Sequence, residues 1–143
     1  MRMLFICYAN FCRSPVAEKL FQFYSKENIH AASAGIINFR QYEMDPRSKN
    51  YLLNLGIDDV KHSTQIVDKK MMDFADKIYA LDLKVLMDIQ KKFPNHMHKV
   101  KVINFKDPSI KTNDPYRIKE INQYNKCLEN IHKIIKNLVL NVN

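Results

Sequence analysis

A thiol, Cys7, stands six residues before a guanidinium, Arg13, where the chain turns from strand to helix, and few features of its 143 residues restrict fold and chemistry as much. Met3-Leu4-Phe5-Ile6-Cys7 is a continuous apolar run of the kind buried on both faces of a parallel sheet. Ser14 followed by Pro15 reads as an N-cap with proline in the first helical position, and Val16 to Asn28 carries Ala17, Leu20, Phe21 and Tyr24 at helical spacing. The segment from Tyr8 to Arg13 is therefore held between two fixed elements. A loop held this way turns successive backbone N–H groups inward as an anion nest, and the helix N-terminus adds partial positive charge. Phosphate suits such a cradle.

The side chains around the cradle suggest chemistry as well as binding. A helix N-terminus and a nearby guanidinium favour a thiolate, so Cys7 is the expected nucleophile at phosphorus. Arg13 presents a planar fork of donors matched to two phosphoryl oxygens, and Ser14 is close enough in sequence to hydrogen-bond the sulfur. A lone cysteine in an apolar strand is ordinarily a packing residue; the arginine and serine after it reverse that reading. A thiolate mechanism also requires a carboxyl group that first protonates the leaving oxygen and then activates water. Two Asp-Pro pairs stand late in the chain, Asp107-Pro108 and Asp114-Pro115, and each taken alone reads as a turn or cap.

Written out, Cys7-Tyr8-Ala9-Asn10-Phe11-Cys12-Arg13-Ser14-Pro15 resembles the C-x-G-N-x-C-R-S-P signature of the low-molecular-weight protein tyrosine phosphatases. The resemblance implies a phosphate-binding loop formed by Tyr8, Ala9, Asn10, Phe11, Cys12 and Ser14, with Cys7 as nucleophile and Arg13 as phosphate clamp. Ala9 stands where the family has glycine, so strain or an altered turn is expected there. Asp114-Pro115-Tyr116 resembles the family's D-P-Y motif, which implies that Asp114 rather than Asp107 is the general acid and base. Arg117 replaces a second tyrosine usual at that place. Ser33-Ala34-Gly35 resembles the family's S-A-G, and His62-Ser63-Thr64-Gln65-Ile66 its H-x-x-R-Q-[IL], with Thr64 in the arginine position. By that likeness Ser33 and His62 hydrogen-bond Asn10 and hold it in a left-handed conformation. Asp45-Pro46-Arg47 resembles the D-P-R that opens the second helix. The loop from Ile36 to Met44 is expected to shape specificity, Phe39 forming one aromatic wall of the pocket and Tyr116 facing it.

Further along, His30–Gly35, Lys77–Leu81 and Val100–Ile103 read as strands. Pro46–Leu55, Asp82–Phe93 and a long final segment beginning near Ile118 read as helices. The alternation predicts an α/β fold, a four-stranded parallel sheet with helices on both faces and the site at the strands' carboxyl ends. With 46% hydrophobic residues, only two glycines, and no linker, repeat or low-complexity tract, residues 1–143 are expected to form one domain.

The apolar start is too short for a signal peptide or membrane span. Three cysteines, an odd number, together with a thiolate nucleophile favour a reducing compartment, so a cytoplasmic location is expected. Cys7 and Cys12 are close enough in sequence for reversible joining under oxidants. His96-Met97-His98 lacks the neighbours of a zinc site, and no carboxylate cluster suggests magnesium. The expected chemistry uses no metal and no cofactor.

A net charge of +8 raises the rival of a basic nucleic-acid binder, or of a phosphate-binding module without catalysis. The lysines are scattered, however, which is the pattern of solvated faces. Thioredoxin-coupled arsenate reductases resemble this loop but need two further cysteines in a mobile segment, and only Cys127 remains. Protein-arginine phosphatases resemble it too, but tend to carry threonine where Phe11 stands. The expected partner is a phosphotyrosine-bearing protein, a tyrosine kinase among the candidates, and oligomeric state is left open by these residues.

Overall fold

The computed structural model describes residues 1–40 and 42–142; Gln41, in the loop assigned above to specificity, and Asn143 lie outside the described residues. The elements follow in the order β1 (Arg2–Cys7), α1 (Arg13–Tyr24), β2 (His30–Gly35), α2 (Pro46–Asn54), α3 (Lys69–Phe74), β3 (Lys77–Ala80), α4 (Leu83–Lys92), β4 (Val100–Val102) and α5 (Ile121–Val142). A 3-10 turn at Pro94–Lys99 leads into β4. All strand pairs are parallel, and the order across the sheet is β2-β1-β3-β4.

β1 alternates between two cores. Met3, Phe5 and Cys7 pack with α1, α2 and α5 on one face, whereas Leu4 and Ile6 pack with Met72 of α3 and with Val85 and Ile89 of α4 on the other. An apolar run without polar interruption is what a strand covered on both sides requires. Burying side chains such as Phe5, Phe21 and Leu128, all fully inaccessible, stabilises the fold by about 1.5–3 kcal/mol each. The chain leaves β1 toward β2 on one side and returns to β3 on the other. The carboxyl ends of β1 and β3 therefore flank a topological switch point, where the loops diverge and leave a crevice.

Several boundaries differ from the sequence expectation. α1 begins at Arg13, not after Ser14, and the residue at the cap position is Cys12, with no side-chain capping bond. Ser14 is not the cap because its hydroxyl is committed inside the site. α1 also stops at Tyr24 rather than Asn28: Ser25 is extended and its N–H closes the helix on Phe21 O, freeing the chain to enter β2. α5 starts at Ile121, three residues later than Ile118, because the Glu120 carboxylate accepts from the Asn122 and Gln123 N–H groups. The short α3 was not anticipated. Its cap, Asp68 accepting from Met71 N–H at 2.9 Å, is legible in hindsight, but six residues carry too little periodicity to announce a helix.

Candidate active site

Cys7 ends β1 with its sulfur buried under the loop that follows. The Asn10 N–H donates to Cys7 Sγ at 3.2 Å, and Ser14 Oγ lies 2.9 Å from the same sulfur. Ser14 Oγ already accepts from Asn10 Nδ2 at 2.8 Å, so its own proton is free to point at the sulfur rather than at Ala34 O, 3.4 Å away. Two donors thus converge on Sγ where α1 begins. That arrangement stabilises negative charge on sulfur.

The loop keeps its shape through Asn10, which is fully buried with φ of 58°. Its amide also donates to Ser33 Oγ at 3.0 Å, its Oδ1 accepts from Gln65 N–H at 3.0 Å, and its carbonyl accepts from His62 Nε2 at 2.8 Å. Because a carbonyl only accepts, Nε2 carries the hydrogen in this contact. Burial pushes the His62 pKa below its ordinary value, which favours that neutral donor. Ser33 in turn donates to Glu18 Oε1 at 2.8 Å, and Lys19 Nζ sits 3.4 Å from the same carboxylate. Asn10 is the non-glycine residue with positive φ among the described residues; Ala9 has an ordinary φ, so the strain expected there is not found. Gly35 is the glycine the loop requires, because a Cβ there would lie 2.8 Å from Ala9 C and 2.9 Å from Asn10 N, both backbone atoms.

Arg13 is almost wholly buried, and its Nη1 donates to Asp82 Oδ2 and to Thr112 O, each at 2.7 Å. Burial opposes its charge, but Cys7, Asp114 and Asp82 outweigh that, and the guanidinium is held above its ordinary range. Nη2 lies 3.8 Å from Asp114 Oδ2. Asp82 does two jobs. One oxygen caps α4 by accepting from Val85 N–H at 2.8 Å, and the other orients Arg13. By local pattern Asp82 reads only as a helix start, because its contact with Arg13 joins residues 69 positions apart.

These groups open into a cavity of about 320 Å³ whose lining includes Cys7, Ala9, Arg13, Ile37, Phe39 and Asp114. Phe39 and Tyr116 do not stand apart as facing walls. Their rings meet edge to face at 5.8 Å, and Phe11 joins both, at 5.0 Å from Phe39 and 5.9 Å from Tyr116, so the three form one aromatic wall. Asp107 lies elsewhere, its carboxylate closing a turn on Ser109. The segment bearing Asp114 is tied down by Arg47, which donates to Ile118 O and, at 3.1 Å, to Tyr116 O, and stacks 3.9 Å over the Tyr124 ring. Asp45 holds Arg47 through Nε at 3.0 Å and Nη2 at 2.7 Å. Burial would raise the Asp45 pKa, yet the Arg47 hydrogen bonds keep it below the usual carboxylate range. Asp45-Pro46-Arg47 therefore positions the far side of the cavity as well as starting α2. Cys7 and Cys12 are both free thiols, and burial pushes the Cys12 thiol up.

The family model for low molecular weight phosphotyrosine protein phosphatases matches residues 2–143. The probable low molecular weight protein-tyrosine-phosphatase EpsP of Ralstonia nicotianae is 29% identical over 131 residues, covering 92% of this chain and 88% of that protein. Among solved structures, the low molecular weight phosphotyrosine phosphatase VcLMWPTP-2 of Vibrio cholerae O395 superposes with a TM-score of 0.91 at 25% identity, over 99% of this chain and 95% of that one. The YwlE arginine phosphatase of Geobacillus stearothermophilus gives 0.89 at 24% identity over 99% and 92%, a likeness of fold.

Proposed function

The chain belongs to the low molecular weight phosphotyrosine protein phosphatase family of hydrolases, and from that premise we propose that it hydrolyses phosphotyrosine through a phosphocysteine intermediate. In the first step Cys7 Sγ attacks phosphorus, the bond from phosphorus to the tyrosine oxygen breaks, and Asp114 gives its proton to the departing phenolate oxygen. In the second, Asp114 takes a proton from water, the resulting oxygen nucleophile attacks phosphorus, and the P–S bond breaks to release phosphate and restore the thiolate. Arg13 holds the equatorial oxygens in both steps, its fork aimed by Asp82 and Thr112 O. The observation that carries the reading is the pair of donors, Asn10 N–H and Ser14 Oγ, meeting at Cys7 Sγ beside the Arg13–Asp114 pair.

Side chains of this chain supply every step, so p-nitrophenyl phosphate hydrolysis should persist in EDTA. Cys7→Ser should abolish it, and Asp114→Asn should lower it by roughly 10²–10⁴-fold, the usual worth of general acid–base catalysis. Full activity in Cys7→Ser would remove the mechanism, and an undiminished Asp114→Asn would remove Asp114 from it. A phosphoarginine reading has support in the likeness to YwlE, but the wall built on Phe11, Phe39 and Tyr116 suits a flat aryl ester. Comparing kcat/KM on phosphotyrosine, phosphoserine and phosphoarginine peptides separates the two, with phosphotyrosine expected to lead.

A further inference from the structure

Three cations stand on, over or next in sequence to residues that line the cavity, and the chemistry proposed above does not use them. Arg117 follows the wall residue Tyr116, is exposed and itself lines the cavity, and no hydrogen bond or ion pair engages it among the described residues. Arg40 follows the wall residue Phe39 and is likewise exposed and without such a partner among the described residues. On the β1 side, Lys84 Nζ lies 5.2 Å over the ring of Tyr8, another lining residue, with most of the lysine in solvent and its charge shared with Asp88 at 3.3 Å.

The nearby carboxylates do not cancel this rim. Asp82 is paired with Arg13, Asp114 is 3.8 Å from the same guanidinium, and Glu43, in the loop after Phe39, borders a separate hollow shared with Lys49 and Lys61. We propose that the rim of Arg117, Arg40 and Lys84 selects phosphotyrosine flanked by acidic residues. This inference rests on the phosphotyrosine reading and specifies its substrate class.

When the phosphorylated ring occupies the cavity, the residues on either side of it in a peptide lie across this rim. Carboxylates there meet unpaired guanidinium groups, which offer two-pronged hydrogen bonds, and lysines there meet like charge. Exposed contacts of this kind act mainly on encounter and are screened by salt, so the preference should appear in KM and kcat/KM while kcat stays nearly level.

The test compares phosphotyrosine peptides with aspartate or glutamate on both flanks against the same peptides with lysine. At low ionic strength the acidic set should lead by about tenfold in kcat/KM, with the lead shrinking toward parity as salt approaches about 0.5 M. Arg117→Glu should erase or reverse the lead. Lys70→Glu makes the same change in net charge beside Arg2, at the opposite end of β1, and should leave the lead intact. Equal kcat/KM for acidic and lysine peptides, with both hydrolysed, would overturn the inference and spare the phosphatase reading; so would a lead that Lys70→Glu erases as fully as Arg117→Glu. Failure to hydrolyse any phosphotyrosine peptide would sink both.

Discussion

Asn10 carries several of the loop's demands in one residue. Its left-handed backbone costs an L-residue about 1–2 kcal/mol, and its amide offsets that by meeting Ser14, Ser33 and the Gln65 N–H in a site closed to water. The two contributions separate by mutation. Asn10→Gly keeps inexpensive access to positive φ and loses the amide contacts, whereas Asn10→Ala loses both. Thermal or urea denaturation should show both variants destabilised by roughly 2–4 kcal/mol, Ala by about 1 kcal/mol more than Gly, with kcat reduced in each. Equal stability of the two would mean that the backbone conformation costs little here. At this scale the sequence was highly legible, because an anion cradle beside a thiol needs particular donor residues close together in the chain: Cys7, Asn10 and Ser14 meet through direct hydrogen bonds, and Arg13 follows them at the start of α1. The error at Ala9 is instructive. A glycine in a family pattern marks a position where glycine is used, and only the backbone shows whether its conformational freedom is needed.

Elements positioned by the fold hold the partners that the sequence did not reveal. Asp82 looks like any aspartate opening a helix, and that is half of its role; its second oxygen reaches Arg13, 69 positions earlier in the chain, a contact no local pattern encodes. Arg47 is similar, a first-turn arginine whose contacts with Tyr116 O and Ile118 O depend on how α2 lies against the segment before α5. Element ends moved by a few residues for the same reason: local capping rules cannot see that the Ser14 hydroxyl is used elsewhere. Asp82→Asn isolates the non-local role. Asparagine caps helices about as well as aspartate, so α4 keeps its start, but its amide would present N–H groups, or at best a neutral oxygen, to the buried Arg13 donor, and the melting temperature should fall through that lost charge partner and not through the cap. If Arg13 grips the phosphoryl oxygens as proposed, misaiming its guanidinium should lower kcat by about 10–100-fold. A wild-type kcat in this variant would show that Thr112 O alone suffices to orient Arg13.

Across the whole molecule, the alternation of strands and helices predicted a parallel sheet, yet the order β2-β1-β3-β4 and the crevice it creates emerge only when both faces of β1 are covered. The helical layer on the α1 side is also joined by polar contacts around one ring. His132 of α5 meets Tyr24 OH of α1 through Nε2 at 2.9 Å and Tyr51 OH of α2 through Nδ1 at 3.1 Å. A neutral imidazole serves both hydroxyls, donating at one nitrogen and accepting at the other; an imidazolium has only donors. Burial, with help from Lys136, lowers the His132 pKa, and burial lowers that of His62 beneath the loop. In both cases the unfolded chain binds protons at a higher pH than the folded one, so their contribution to stability is complete above about pH 6.5 and is lost as pH falls toward the folded values. Carboxylates act lower on the scale: Asp73 and Asp76, each pushed down to about 2 by its bond to His96 or Arg2, release their contribution only below the ordinary carboxylate range. Melting temperature should therefore decline between about pH 7 and pH 5, before any acid unfolding driven by carboxylates. His132→Gln should melt lower at pH 7.5 and show a shallower decline. A melting temperature that stays flat or rises over that interval would mean that neither ring is held neutral by the fold.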